Sequence, residues 1–135
     1  MRAYVPKPGS RYYIEPEAYR HVVSWCRCYP LWKKELATLP DTSKAVTYDK
    51  DKVQTSSDYD ATAELAIRRV ELEHKITLLE TTVQAVAPEI YRWMMKGITE
   101  NGYTTEDLRR QGMPCGRDYF AAKKAKIYFM LNRRI

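Results

Sequence analysis

The strongest constraint on the fold of this chain is the punctuation at residues 104 to 117. Thr104-Thr105-Glu106-Asp107 offers a hydroxyl N-cap with a carboxylate three residues on, Leu108-Arg109-Arg110-Gln111 continues the turn, and Gly112 supplies a left-handed C-cap. A short helix therefore ends at Gly112. Met113-Pro114-Cys115-Gly116 cannot prolong it, because the residue before a proline is pushed out of the helical region. From Arg117 to about Asn132 the sequence is strongly helical again. The pattern predicts helix, tight turn and second helix, joined by about four residues, the layout of a helix-turn-helix.

Charge falls on the same segment. Residues 109–134 hold eight basic side chains against one acid, Asp118, a local charge of +7 in a chain whose total is +6, so residues 1–108 sum to about −1. A patch rather than a uniform excess points to a polyanion partner. Contacts of such side chains with duplex DNA release counterions, and log affinity then falls by about 0.9 per neutralised phosphate for each unit of log salt. Lysines on a terminal helix can be merely solvated, but here caps, turn length and charge coincide. The expected DNA-contacting set is Arg109, Arg110, Arg117, Lys123, Lys124 and Lys126. A recognition helix reads bases with its N-terminal end, which places Arg117, Asp118, Ala121, Ala122 and Lys124 near the groove. Around the helix Phe120, Ile127 and Leu131 form one apolar stripe, whereas Tyr119, Tyr128, Phe129 and Met130 lie elsewhere and need other helices to pack on.

With 135 residues and 44% hydrophobic content the chain can bury a core, as a compact domain or a bundle with an appended module. It lacks a run of eighteen apolar residues, and its start lacks the apolar stretch of a secretory signal, so a cytoplasmic protein is expected. Three cysteines, two of them at Cys26 and Cys28, do not make a disulfide framework. His21, Cys26, Cys28 and Cys115 make a poor zinc set, because Cys-x-Cys is tighter than the usual ligand spacing. Glu71-x-x-His74 is half of a di-iron motif whose other half is missing. No metal or cofactor is expected. Neither is an enzyme: His21 and His74 are the only histidines, and no catalytic spacing or glycine-rich phosphate loop stands out.

Residues 1–13, rich in Pro, Gly and Tyr, read as an irregular arm whose tyrosines pack on the body. Glu15-Pro16-Glu17 begins a helix, and Val22, Trp25, Tyr29, Trp32 and Leu36 recur at steps of three and four, with Pro30 breaking the rod near Tyr29. An aromatic stripe at that period is core. Pro40 to Tyr59, polar and mixed in charge, reads as an exposed loop. Asp58 or Asp60 then caps the longest helix, from about Ala61 to Ala85, and Pro88 opens the next, which ends near Gly102.

The long helix carries a heptad. Leu65, Leu72, Leu79 and Val86 fall at d, and Arg69, Ile76 and Val83 at a. The g residues Arg68 and Lys75 would meet Glu73 and Glu80 of a parallel partner, which favours a parallel homodimer with Leu65, Arg69, Leu72, Ile76, Leu79 and Val83 in its seam. Ala63, Ile67 and Val70 make a second apolar face, so an ordinary bundle helix is the competing reading. The expected architecture is all-α: a helical and oligomerising region over residues 1–103, then a helix-turn-helix over 104–135.

Several segments resemble a family of small regulators from phages and prophages of Gram-positive bacteria, the RinA, ArpU and LlgA type of late-gene transcriptional activator. They are Cys28-Tyr29-Pro30 with Lys33-Lys34-Glu35-Leu36, the acidic loop, Asp60-Ala61-Thr62-Ala63-Glu64-Leu65 running on to Ile76, and Gly112-Met113-Pro114-Cys115-Gly116-Arg117-Asp118-Tyr119-Phe120. The resemblance implies double-stranded DNA bound upstream of late genes, host RNA polymerase helped to start there, and DNA-contact roles for Arg117, Lys123, Lys124 and Lys126. The Ala121-Ala122 pair departs from the denser arginine run of relatives. Two alternatives share the pattern: a small terminase-like packaging subunit, which would form a ring, and a phage inhibitor that binds a host protein and not DNA.

Overall fold

The structure, a computed structural model, describes residues 7–40 and 56–135, with residues 56–60 described by backbone alone. Its elements are α1 (Pro16–Arg27), α2 (Tyr29–Thr38), α3 (Ser56–Val86), a single 3-10 turn (Pro88–Ile90), α4 (Tyr91–Thr99), α5 (Thr105–Arg110) and α6 (Arg117–Asn132). The fold is all-α, with no strand among the described residues. None of the described helices is long and apolar enough to cross a membrane.

Most helix ends follow local chemistry. Pro16 sits in the first turn of α1, where its missing N–H costs nothing, with Glu17 beside it and Arg27 in the last turn. The break expected near Tyr29 falls at Cys28, and Pro30 lies in the first turn of α2. At α5 the capping box is complete: the Asp107 N–H donates to Thr104 Oγ1 at 3.2 Å and the Thr104 N–H to Asp107 Oδ2 at 3.0 Å. Its other end is a Schellman motif. Gly112 has φ 107°, its N–H donates to the Arg109 carbonyl at 3.0 Å, and the Met113 N–H donates to the Leu108 carbonyl at 3.1 Å. Met113 and Leu108, the apolar pair that accompanies this motif, are both buried.

Three boundaries differ from the sequence reading. The long helix starts at Ser56, because Ser56-Ser57-Asp58-Tyr59-Asp60 extends it without any apolar period to announce it. The expected loop over 40–59 therefore loses its last four residues, and its stretch 41–55 lies outside the described residues. The helix expected from Pro88 to Gly102 is a 3-10 turn followed by α4, which stops at Thr99. Of the expected arm, residues 1–6 lie outside the described part, while Tyr12 packs on Phe129 with ring centroids 5.6 Å apart.

The contacts divide the chain into two units, Met1–Pro30 with Leu78–Ile135 and Leu31–Thr77, and not at residue 103. In the first unit α1 packs on α4 and α6, α4 on α5 and α6, and α5 on α6. One core runs through these elements, with Val22, Cys26, Leu79, Val83, Met94, Ile98, Leu108, Phe120, Ile127, Tyr128 and Leu131 all buried. The segment 104–135 thus shares its core with α1 and α4. Gly97 allows the close approach: a Cβ there would lie 2.9 Å from Phe120 Cζ and 3.3 Å from Leu108 Cδ1. Two buried hydroxyls are satisfied by their own helices, Thr82 donating to the Leu78 carbonyl at 2.7 Å and Thr99 to the Met95 carbonyl at 2.6 Å.

The second unit is stitched by polar contacts around a small buried set, Trp32, Leu72 and Ile76. Arg68 grips the Glu35 carboxylate with a two-pronged fork, one prong at 2.8 Å, and the Lys75 ammonium stands 5.6 Å from the centre of the Trp32 ring. Arg69 donates to the Leu39 and Pro40 carbonyls at 3.4 and 3.2 Å.

These contacts correct the intermolecular seam. Leu72, Ile76, Leu79 and Val83 are buried within the chain's own units, Arg69 is engaged with the Leu39 and Pro40 carbonyls just past α2, and Arg68 pairs with Glu35 of the same chain. The heptad period is real, but its apolar positions from Leu72 to Val86 are already buried within the chain, and Leu65 is half-buried. Among the described side chains, the large apolar ones left exposed on α3 are Ile67 and Val70, on the opposite face.

Candidate nucleic-acid interface

The six basic residues expected at the interface do not share one face. On a helix, residues three and four apart are neighbours. Along α6 the series Tyr119, Lys123, Lys126, Met130 and Arg133 forms one flank, and Lys123, Lys126 and Arg133 make it basic. The Lys123 ammonium stands 5.4 Å from the Tyr119 ring centre and the Arg133 guanidinium 5.9 Å from that of Phe129, so aromatic faces hold both heads. Tyr119 is itself fixed, its hydroxyl donating to the Glu89 carboxylate. That hydrogen bond, together with a backbone one and the Lys123 charge, holds the Glu89 carboxyl below its usual range, while the Tyr119 phenol is pushed up.

Lys124 belongs to a different surface. It follows Phe120 by one turn and precedes Ile127, Tyr128 and Leu131, all buried, so its stem enters the side of α6 that packs on α1. Its ammonium lies 6.0 Å from the Phe120 ring centre and 5.9 Å from that of Tyr128. Burial, then the neighbouring Arg27 charge, pushes the amine below the ordinary lysine value. The groove-facing placement expected for Lys124 is therefore corrected: this position carries the core register of the helix. The other expected groove residues, Arg117, Asp118, Ala121 and Ala122, are exposed.

Arg109 and Arg110 lie on α5 and are exposed, each beside a carboxylate three residues back: Glu106 at 3.5 Å from Arg109 and Asp107 at 3.7 Å from Arg110. Such surface pairs are worth about 0–1 kcal/mol each, so they trim the local charge without locking the side chains. Among the described residues Arg117, Lys123, Lys126, Arg133 and Arg134 form no ion pair with a carboxylate.

The fold also adds cations that a count over residues 109–134 could not see. Arg27 comes from α1, and Arg92 and Lys96 sit one turn apart on α4, where with Tyr29, Tyr91, Met95 and the acidic Glu100 they line an open groove of about 500 Å³. Arg92 stacks on Trp93 at 4.9 Å, and Lys96 donates to Gln111 Oε1 at 3.1 Å. The first unit holds fifteen basic against eight acidic residues and the second eight against nine, so the whole positive excess belongs to the first.

The cysteines are free, Cys26 buried and Cys28 and Cys115 half-buried. Burial pushes the Cys26 thiol up to about 12, which keeps it protonated near neutral pH. The described residues gather no three His, Cys, Asp or Glu side chains suited to a metal ion. Comparison with known proteins returns no matching family model, no similar curated protein and no similar solved structure.

Proposed function

We propose that this chain binds double-stranded DNA through the α5-turn-α6 segment, used as a helix-turn-helix, and regulates transcription in the manner of the phage late-gene activators that its sequence resembles. The observation that carries the reading is the concentration of unpaired cations on the first unit, above all the flank of Lys123, Lys126 and Arg133 with Arg117 at the start of the same helix. Phosphate contacts from that flank supply affinity without reading sequence. Base reading falls to the N-terminal end of α6, where Arg117 is the one long donor beside Asp118, Ala121 and Ala122. Few side chains there can address base edges, so modest sequence discrimination over strong phosphate binding is expected. Contact with host RNA polymerase and action inside the bacterial cell belong to the same proposal. A homodimer, if it forms through α3, uses the exposed face of Ala63, Ile67 and Val70 in place of the buried heptad.

The test is a fluorescence-anisotropy titration of labelled duplexes from late promoter regions at several salt concentrations. Binding that weakens steeply with salt and prefers one duplex supports the regulator. Absent or salt-insensitive binding removes the DNA reading and favours an inhibitor acting on a host protein.

A further inference from the structure

Tyr119 stands in the first turn of α6 with 43% of its surface exposed, one turn before Ala122 and Lys123. Its ring therefore lies between the base-reading end of the proposed interface, where Ala122 is small, and the basic flank, whose Lys123 ammonium stands 5.4 Å from the ring centre. Its hydroxyl donates to the carboxylate of Glu89, an exposed residue of the 3-10 turn before α4. The direction of that bond is settled. Hydrogen bonding holds the Glu89 carboxyl below its usual range, so it is ionised and can only accept, while the Tyr119 phenol is pushed up and keeps its proton. A phenol whose single proton is committed to a carboxylate presents only lone pairs to a third group, and the bond to an anion makes its oxygen the better acceptor.

We propose that the Glu89–Tyr119 pair is a specificity element of the DNA-binding face, reading an exocyclic amino group, adenine N6 or cytosine N4, in the major groove. The inference rests on the DNA-binding reading and deepens it: Arg117 is a donor, suited to guanine, and the paired phenol is an acceptor at the same end of the helix. Adenine and cytosine offer amino hydrogens there, whereas guanine O6 and thymine O4 would set lone pairs against the phenol oxygen. The Glu89 charge acts in the same sense, since it attracts an amino hydrogen and repels a keto oxygen. A tyrosine hydroxyl with no carboxylate behind it can donate or accept and tells these bases apart poorly.

The test is selection of duplexes from a randomised pool. Wild type should enrich adenine or cytosine at one position by about fivefold over guanine or thymine, the discrimination of one neutral hydrogen bond. Tyr119→Phe should level the four bases there and leave other positions and the salt slope unchanged, because the ring beside Lys123 remains. Glu89→Gln, whose amide can donate to the phenol oxygen and so turn the hydroxyl proton outward, should admit guanine or thymine at the same position. A base lacking the amino group, purine for adenine or 2-pyrimidinone for cytosine, should weaken wild type by about fivefold and Tyr119→Phe not at all. An amino preference that survives Tyr119→Phe, or a uniform loss of affinity over all duplexes in that variant, overturns the inference and leaves the DNA reading in place. A wild type that retains no duplex overturns both.

Discussion

Lys124 shows how much one side chain can depend on which face of a helix is inside. Its amine is held among Phe120, Tyr128 and Arg27, where burial and a like charge both oppose protonation. A lysine whose folded pKa lies below its unfolded value of 10.5 binds fewer protons when folded, so its burden is greatest at low pH and fades as pH rises toward 10.5. Lys124→Met should therefore raise stability by about 1 kcal/mol at neutral pH, and the gain over wild type should shrink in alkaline buffer. Urea unfolding at a series of pH values checks both the sign and the trend. Gly97 gives the opposite case. Alanine there would add about 1 kcal/mol of helix propensity, but its Cβ meets Phe120 and Leu108, and overpacking typically costs about 1–3 kcal/mol. Gly97→Ala should lower stability by about 1 kcal/mol net, read as a lower thermal midpoint with helix content retained. Neither effect was legible in the sequence. The apolar residues of 117–134 scatter around the helix, and without α1 and α4 in place nothing says which side they close.

At the level of elements, legibility tracked the range of the chemistry. The α5 caps are local, built from Thr104, Asp107 and Gly112, and both ends were readable before any packing was known. Thr104→Ala removes the hydroxyl half of the box and should cost about 1 kcal/mol in chemical denaturation. The start of α3 was not readable, because Ser56 to Asp60 offers helix formation no apolar period. The heptad of α3 was readable as a period but not as a partner, since the same spacing serves a helix packed within its own chain or against a copy. The burial of Leu72 and Ile76 decides the matter for that face. Leu72→Lys or Ile76→Lys should lose helical circular dichroism, whereas Ile67→Lys with Val70→Lys should keep it. If wild type sediments as a dimer and that double variant as a monomer, the exposed face is the contact. A dimer that survives places it elsewhere.

Over the whole molecule, charge is sorted more sharply than the order of residues suggests. A window over 109–134 finds the excess but treats eight cations as equals, and the fold divides them: three along one flank of α6, two beside their own carboxylates on α5, Lys124 on the side of α6 that packs on α1, Arg117 at the first turn of α6 and Arg134 just past its end. That division makes the DNA reading quantitative. Replacing Lys123, Lys126 and Arg133 by glutamine should flatten the salt slope of duplex binding by up to about 2.7, at about 0.9 for each phosphate released. Replacing Arg109 and Arg110 should change the slope less, because each must leave Glu106 or Asp107 to reach a phosphate and the uncovered carboxylates then repel the backbone. Anisotropy titrations of both variants against one duplex compare the two sets directly. Equal changes in slope would deny the α6 flank a privileged role and return the interface to a diffuse basic surface, whereas a larger change in the α6 variant fixes the phosphate track along Lys123, Lys126 and Arg133.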